Sequence, residues 1–352
     1  MNPVGANLVA ATATIADAIA VIDRAGGAPI ALVHEAGRLI GTVTDGDVRR
    51  GQLKGIGPEQ PVTRIMNVRP VTAPAGTSAR DAERIMRQRS IMQLPLVDRD
   101  GTPVGIHALA DSDNVSAAAE TLVVLMAGGR GTRLKPITED VPKPMVEVGG
   151  KPILSTIVER FVAQAFTRIV LAVNYKREII EDYFGDGAKF GARISYVREA
   201  QQMGTAGALS LLSEPARGPV IVMNGDLLAR VNFHRLLKFH QEQAAAATMG
   251  VFEYKHTVPF GVVHFDGEAF GGIVEKPVHR YFASAGIYVL APEVIAGIAR
   301  DRPTDMPAVF ERVKASGRPP AVFPLREYWI DVGQIDDLKQ AERDFGSAFP
   351  QD

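Results

Sequence analysis

Residues 122–144 read LVVLMAGGRGTRLKPITEDVPKP, and this stretch decides the architecture. Its first five residues, Leu122–Met126, are continuously apolar, the pattern of a strand buried on both faces of a parallel sheet. The run ends in Ala127–Arg133, where Gly128, Gly129 and Gly131 alternate with Arg130, Thr132 and Arg133. Glycine accepts positive φ and lets a ligand approach main-chain N–H groups. Successive N–H groups in such a turn form a concavity for anions. Arg133 adds a planar guanidinium suited to bidentate pairing with phosphate oxygens. Lys143, between Pro142 and Pro144, offers one ammonium on a stiffened segment. The composite suits a polyphosphate.

Downstream the chain alternates strand and helix. Arg168–Val173 reads as a strand, Lys176–Tyr183 as a helix, Arg193–Val197 as a strand, Ala206–Leu212 as a helix and Val220–Met223 as a strand. This alternation predicts an α/β fold with a doubly wound, mainly parallel sheet. Ligands in such sheets lie outside the carboxyl ends of the strands, so the glycine turn and Asp226, at the end of VIVMNGD, face one crevice. Asp331 lies in WIDVG near the end of the domain. Both acids have plainer readings: Asn-Gly-Asp is turn chemistry, and Asp331 could cap a helix over Gln334–Asp344.

Two other phosphate motifs fail. No Gly-Lys-Ser/Thr follows the strand, and Leu134 stands where a dinucleotide fingerprint needs its third glycine, which disfavours a nicotinamide-dependent dehydrogenase. The seven histidines have no metal-ligand spacing, and His234 and His240 read as helix-surface residues.

Composition narrows the class. The length of 352 residues favours two domains. The net charge of −1 argues against a general nucleic-acid binder. With no cysteine, disulfides and thiolate metal sites are excluded. The first 27 residues are apolar but lack a basic start and contain Asp17 and Asp23, unlike a secretion signal. A cytoplasmic protein with no membrane span is the expectation.

The N-terminal third repeats itself at a constant offset of 64 residues. Asp17 matches Asp81, Leu32-Val33 matches Leu96-Val97, and Gly37, Gly41 and Asp47 match Gly101, Gly105 and Asp111. Each unit reads as a helix (Ile15–Arg24; Ala79–Gln88), an apolar strand, a glycine turn and a second strand. Asp111–Glu120 is polar and small-residue rich, as in a linker.

Gly128–Leu134 together with Pro142–Pro144 resembles the signature of the sugar-1-phosphate nucleotidyltransferases (nucleotide-sugar pyrophosphorylases): Gly-Gly-x-Gly-Thr-Arg-Leu, then Pro-Lys-Pro. The resemblance spans Leu122 to about Phe345. It implies a nucleotide-diphospho-sugar transferase fold, Rossmann-like, and attack by a sugar-1-phosphate on the α-phosphorus of a nucleoside triphosphate with loss of pyrophosphate. It assigns Arg133, Lys143 and Asp226 to catalysis. Asp226 and Asp331 would bind Mg2+. Ala127, Gly128, Gly129, Gly131, Thr132, Gly204 and Thr205 would bind the triphosphate and base, with Thr205 also capping the helix after it. Gly261, Glu275, Lys276, Ala285 and Gly286 would bind the sugar phosphate. Many relatives carry Asn where this chain has Ser284. Pro144 occupies the place of a glutamine usual in thymidylyl enzymes, and Leu171–Tyr175 (LAVNY) looks more like guanylyltransferases acting on mannose-type, heptose or amino-sugar phosphates. The implied substrate is GTP and the product an NDP-sugar for surface glycans.

The repeat resembles a tandem pair of α+β cystathionine-β-synthase-type (CBS) domains. Such pairs recur ahead of bacterial guanylyltransferases of this fold. The implied organisation is a CBS pair over residues 1–115 (units about 12–50 and 76–114), a linker at 116–121 and a catalytic domain over 122–352, in a homo-oligomer. Thr44 and Asp47 are the residues expected to hold an adenine nucleotide; Ala108 replaces the threonine in the second unit. Packing against another subunit is the alternative role for the pair. A nucleotide sensor or scaffold with an inactive transferase half is the competing function.

Overall fold

The computed structural model describes residues 4–25, 28–109, 118–300 and 302–350. The chain forms two compact units, residues 1–113 and 114–352.

In the first unit β1 (Leu8–Ala10) runs parallel to β2 (Ile30–Glu35), which pairs antiparallel with β3 (Arg38–Thr44). The second half repeats this with β4 (Ala73–Pro74), β5 (Gln93–Val97) and β6 (Pro103–Ala108). Helices Ile15–Arg24 and Ala79–Arg89 obey the 64-residue offset down to their caps. The Thr14 hydroxyl donates to Asp17 (2.7 Å) and the Ser78 hydroxyl to Asp81 (2.8 Å). Both carboxyls are held below the usual range by these bonds. Gly37 and Gly101 make the equivalent turns at φ +83° and +84°, where a side chain would be strained. Asp111 and the segment 110–117, which includes the start of the expected linker, lie outside the described residues.

The second unit is built on a seven-stranded sheet. Its strands are β7 (Leu122–Met126), β10 (Arg168–Val173), β11 (Arg193–Arg198), β12 (Val220–Asn224), β14 (Ala247–Thr257), β17 (Val278–Leu290) and β18 (Ala321–Pro324), in the order β11-β10-β7-β12-β17-β14-β18. Only β17 runs against the others. Three small two-stranded sheets accompany it: β8 (Glu147–Val148) with β9 (Lys151–Pro152), β13 (Leu227–Ala229) with β19 (Trp329–Asp331), and β15 (Gly261–Asp266) with β16 (Ala269–Glu275). Apolar cores line both faces of the main sheet, which is why β7 and β12 read as unbroken apolar runs. One core holds a cluster in which Phe161 stacks on Phe233 at 3.9 Å, with Phe166 edge-on to both.

Three expectations need correction. Ala206–Leu212 is not one α-helix: a single turn, Gly204–Gly207, passes into a 3-10 turn over Ala208–Leu211. Two glycines in four residues are too permissive to carry a longer helix. His240 is not on the surface. It is 3% exposed, its Nδ1 lies 2.9 Å from the Thr248 hydroxyl, and burial depresses its pKa. The last helix starts at Ile335 with Gln334 as its cap, whose N–H is accepted by Asp337, so Asp331 does not cap it.

Candidate active site

The parallel register brings the ends of three strands level. Met126 pairs with Ala172 on one side and Asn224 on the other. Beyond those ends the Ala127 N–H donates to the Ala172 carbonyl (2.8 Å), and the Gly225 N–H donates to the Met126 carbonyl (2.9 Å). The glycine turn and the Asn-Gly-Asp turn therefore share one rim.

The turn closes on Lys143. Gly131 sits at φ +64°, and a Cβ there would lie 2.8 Å from Lys143 Cβ and 2.9 Å from Thr138 Cγ2. The Thr138 hydroxyl donates to the Gly131 carbonyl (2.8 Å). Only glycine supplies both the left-handed backbone and the missing volume. The space admits the aliphatic stem of Lys143, and the residue is 6% exposed.

The Lys143 ammonium lies 2.5 Å from Asp226 Oδ2 and 3.4 Å from Asp331 Oδ1. These acids are 105 positions apart in sequence. The short ladder of β13 with β19 brings them together by pairing Leu227 with Asp331. In addition, the Val332 N–H donates to the Asp226 carbonyl (3.2 Å). Burial raises the Asp331 pKa, and the charge of Asp226 raises it further; Lys143 and Arg133 pull it down. Two carboxylates in mutual repulsion demand a positive charge between them, and here one ammonium supplies it. No set of three or more His, Cys, Asp or Glu side chains able to hold a metal occurs among the described residues.

Sequence reading missed Glu199, just beyond β11. Its N–H donates to the Val173 carbonyl (3.0 Å), and Asn174 Nδ2 donates to the Glu199 carbonyl (2.9 Å). Its side chain is turned inward and the residue is 8% exposed. One oxygen accepts the Met203 N–H (2.9 Å), and the other would lie 3.0 Å from a Cβ on Gly128. Burial pushes this carboxyl up, with the Met203 N–H opposing. Glu199 thus joins the glycine turn to the Met203–Gly207 segment.

Thr205 does not cap the turn that contains it. Its hydroxyl accepts the Met306 N–H (2.8 Å) and so caps the helix Met306–Ala315, while its own N–H donates to Asp305 (3.0 Å). Gly204, at φ +76°, packs against Thr304 and Asp305.

Ala285 and Gly286 lie in a bulge of β17. The Ala285 carbonyl accepts the Trp329 indole N–H (2.9 Å), and Gly286 abuts Asn224. They therefore border the Asp226–Asp331 pair. Gly261 and Glu275 form the first pair of the β15–β16 ladder, with Lys276 next to them. Glu275 folds over Gly261, and the Lys276 N–H donates to the Phe260 carbonyl (3.2 Å), on an exposed ribbon. In the first unit, Thr44 and Asp47 bond to each other. Asp47 Oδ2 accepts both the N–H (2.9 Å) and the hydroxyl (2.7 Å) of Thr44, and Oδ1 pairs with Arg50 (2.6 Å).

Known proteins fit this arrangement. A nucleotidyl transferase family model matches residues 122–347, and CBS domain models match 6–54 and 62–106. The catalytic subunit beta of mannose-1-phosphate guanylyltransferase of Danio rerio is 34% identical over 226 residues, covering 61% of this chain and 62% of that protein. The mannose-1-phosphate guanyltransferase of Yarrowia lipolytica is 37% identical over 223 residues, covering 61% of each. The chain spans less than two thirds of the length of the curated relatives it matches. A Bacillus anthracis structure, described as a glucose-1-phosphate thymidylyltransferase in complex with a sucrose, superposes with a TM-score of 0.53 at 22% identity over 66% of this chain and 96% of that one; likeness at that identity speaks for the fold. With well over half its length matched by the family model, the chain belongs to the nucleotidyl transferase family and carries CBS domains ahead of that region.

Proposed function

We propose that the chain transfers a nucleoside monophosphate, GMP from GTP, onto a sugar-1-phosphate, releasing pyrophosphate and forming a GDP-sugar for surface glycans. The observation that carries this reading is the meeting of Lys143, Asp226 and Asp331 beside the glycine turn. The attacking phosphate is already an anion, so no covalent nucleophile is required. Alignment and neutralisation of charge are what the protein must supply.

Main-chain N–H groups of Ala127–Thr132 cradle the triphosphate, and Arg133 balances the departing pyrophosphate. Lys143 neutralises charge near the reacting phosphorus. Asp226 and Asp331 suit Mg2+, which favours one or two carboxylates completed by substrate phosphates and water. When bound, the ion draws charge from the phosphate oxygens and fixes their geometry. Glu199 favours guanine, whose N1–H and N2–H2 edge presents donors to a carboxylate. The guanylyltransferase relatives lean the same way.

Incubation of the full chain with mixed triphosphates, a panel of sugar-1-phosphates and Mg2+, read by mass spectrometry, tests this. A GDP-sugar and pyrophosphate are expected, and EDTA should abolish both. Silence across the panel would favour a nucleotide-sensing scaffold. For the CBS pair we infer ligand sensing by the first unit, and AMP or ATP should raise the melting temperature by linkage. The Thr44–Asp47–Arg50 network also suits a purely structural role, and indifference to both nucleotides would leave that role.

A further inference from the structure

The Met203–Gly207 segment cannot hold its shape unaided. Gly204–Gly207 is a single turn of four residues, two of them glycine, the residue that most weakens a helix after proline. Its cap position is Met203, whose side chain makes no capping bond. The first amides of a turn have no partner within it, so here they are satisfied from outside.

The partners come from Thr304 and Asp305. The Thr304 carbonyl accepts the N–H groups of Ala206 (2.9 Å) and Gly207 (3.1 Å), and the Thr304 N–H donates to the Met203 carbonyl (2.9 Å). Asp305 Oδ1 accepts the Thr205 N–H (3.0 Å) and the Thr205 hydroxyl (3.3 Å). A Cβ on Gly204 would lie 2.7 Å from both Asp305 Oδ1 and the Thr304 carbonyl oxygen, so glycine is what permits so close an approach.

Asp305 is released for this task by its own helix. It occupies the cap position of Met306–Ala315 with extended backbone (φ −97°, ψ 150°), yet its side chain makes no capping bond there. An aspartate so placed ordinarily accepts an N–H from the second or third helical residue. The second is Pro307, which has no N–H. The third, Ala308, already donates to the Asp305 main-chain carbonyl (3.1 Å). The Met306 N–H goes to the Thr205 hydroxyl (2.8 Å). Thr205 and Asp305 therefore cap each other's segments across 100 positions of sequence. Met306, Val309, Phe310 and Val313 of the helix are buried in one of the cores flanking the main sheet, so the short turn is tied to a fixed body.

We propose that Asp305 is a positioning residue for the nucleotide base, acting through Thr205 to hold Gly204–Gly207 in the shape that meets it. This rests on the nucleotidyl-transfer reading, and on Glu199, which joins the same segment to the glycine turn.

Calorimetric titration of the full chain with GTP, ATP, CTP, UTP and dTTP, alongside turnover, tests it. Asp305→Ala should weaken the preferred triphosphate about tenfold, equivalent to 1.4 kcal/mol. Its lead over the other bases should narrow, and KM should rise in step with a much smaller change in kcat. Asp305→Asn keeps a side-chain oxygen for Thr205 and should stay within about twofold of the wild type. A lower melting temperature in Asp305→Ala with unaltered affinity and base preference would make the contact structural only and overturn the proposal. A wild type that binds none of these nucleotides would overturn it too. Binding that Asp305→Ala weakens, without product from any sugar phosphate, would uphold the positioning role while rejecting the transfer reaction. If Asp305→Ala does not fold, Thr205→Val decides: it removes the hydroxyl at nearly constant volume, and wild-type affinity and base preference in that variant would overturn the proposal.

Discussion

The ammonium of Lys143 lies 2.5 Å from the carboxylate of Asp226 while the lysine side chain is only 8% exposed. A buried cation tolerates such a place only with a close counter-charge. The lysine and acid therefore act as a unit. Replacing Asp226 with Asn should lower turnover on the order of 10²–10³-fold, the usual cost of removing one preorganised electrostatic group. Near-normal turnover by this variant at saturating Mg2+ would defeat the assignment.

Asp331 titrates above the ordinary aspartate value of 3.8 because it is buried and faces Asp226. In the proposed reaction it would hold a cation only when ionised, so turnover should fall on the acid side of that raised pKa and recover above it. Taking away Asp226 removes a repulsion and frees Lys143 for Asp331. The Asp331 carboxyl, followed by carbon-detected NMR, should therefore titrate lower in Asp226→Asn than in the wild type. An unchanged or higher value would mean that the two acids do not sense each other.

Gly131→Ala should be costly well beyond an ordinary surface substitution. The left-handed backbone alone costs about 1–2 kcal/mol for an L-residue, and the new methyl would meet Lys143 and Thr138 at under 3 Å. Chemical denaturation should show the loss, with a raised KM for the triphosphate. A variant with wild-type stability and KM would show that the turn does not pack on Lys143.

Glu199 carries a stability signature. Burial raises its carboxyl pKa above 4.5, so the folded state binds a proton more tightly than the unfolded chain does. The stabilisation it gives is complete below pH 4.5 and is lost as pH rises through the raised value. Glu199→Gln imitates the protonated acid. Its melting temperature should exceed that of the wild type at neutral pH and converge with it in acid. Preference for GTP should drop about tenfold, equivalent to 1.4 kcal/mol. A variant with unaltered base preference would remove Glu199 from recognition.

The glycine turn and Lys143 were legible because their chemistry is local: a strand, a turn and a stiffened lysine within 23 residues. Asp226 and Asp331 were legible as acids following apolar segments, but as neighbours only through the family resemblance that gives both to one Mg2+. Their meeting depends on a ladder of three residues per strand joining distant parts of the chain, and no periodicity announces such a pairing. Glu199 was lost among Arg198, Glu199 and Gln201, a stretch that reads as a solvated strand end. Its inward turn is imposed by the Met203 N–H and the empty side of Gly128. Thr205 was read against its own helix because a cap from another segment leaves no trace in spacing. In β15 and β16 the apolar alternation would suit a half-buried strand, yet Phe265 and Phe270 are 76% and 71% exposed.

The pairing of Leu227 with Asp331 also bears on how the protein is made. A ribosome that has passed Asp226 has already encoded the glycine turn, the lysine and the first acid. A stop codon between Asp226 and Trp329 would yield a polypeptide carrying all three but missing the opposing acid. The two acids can meet only once the chain has been made through Asp331.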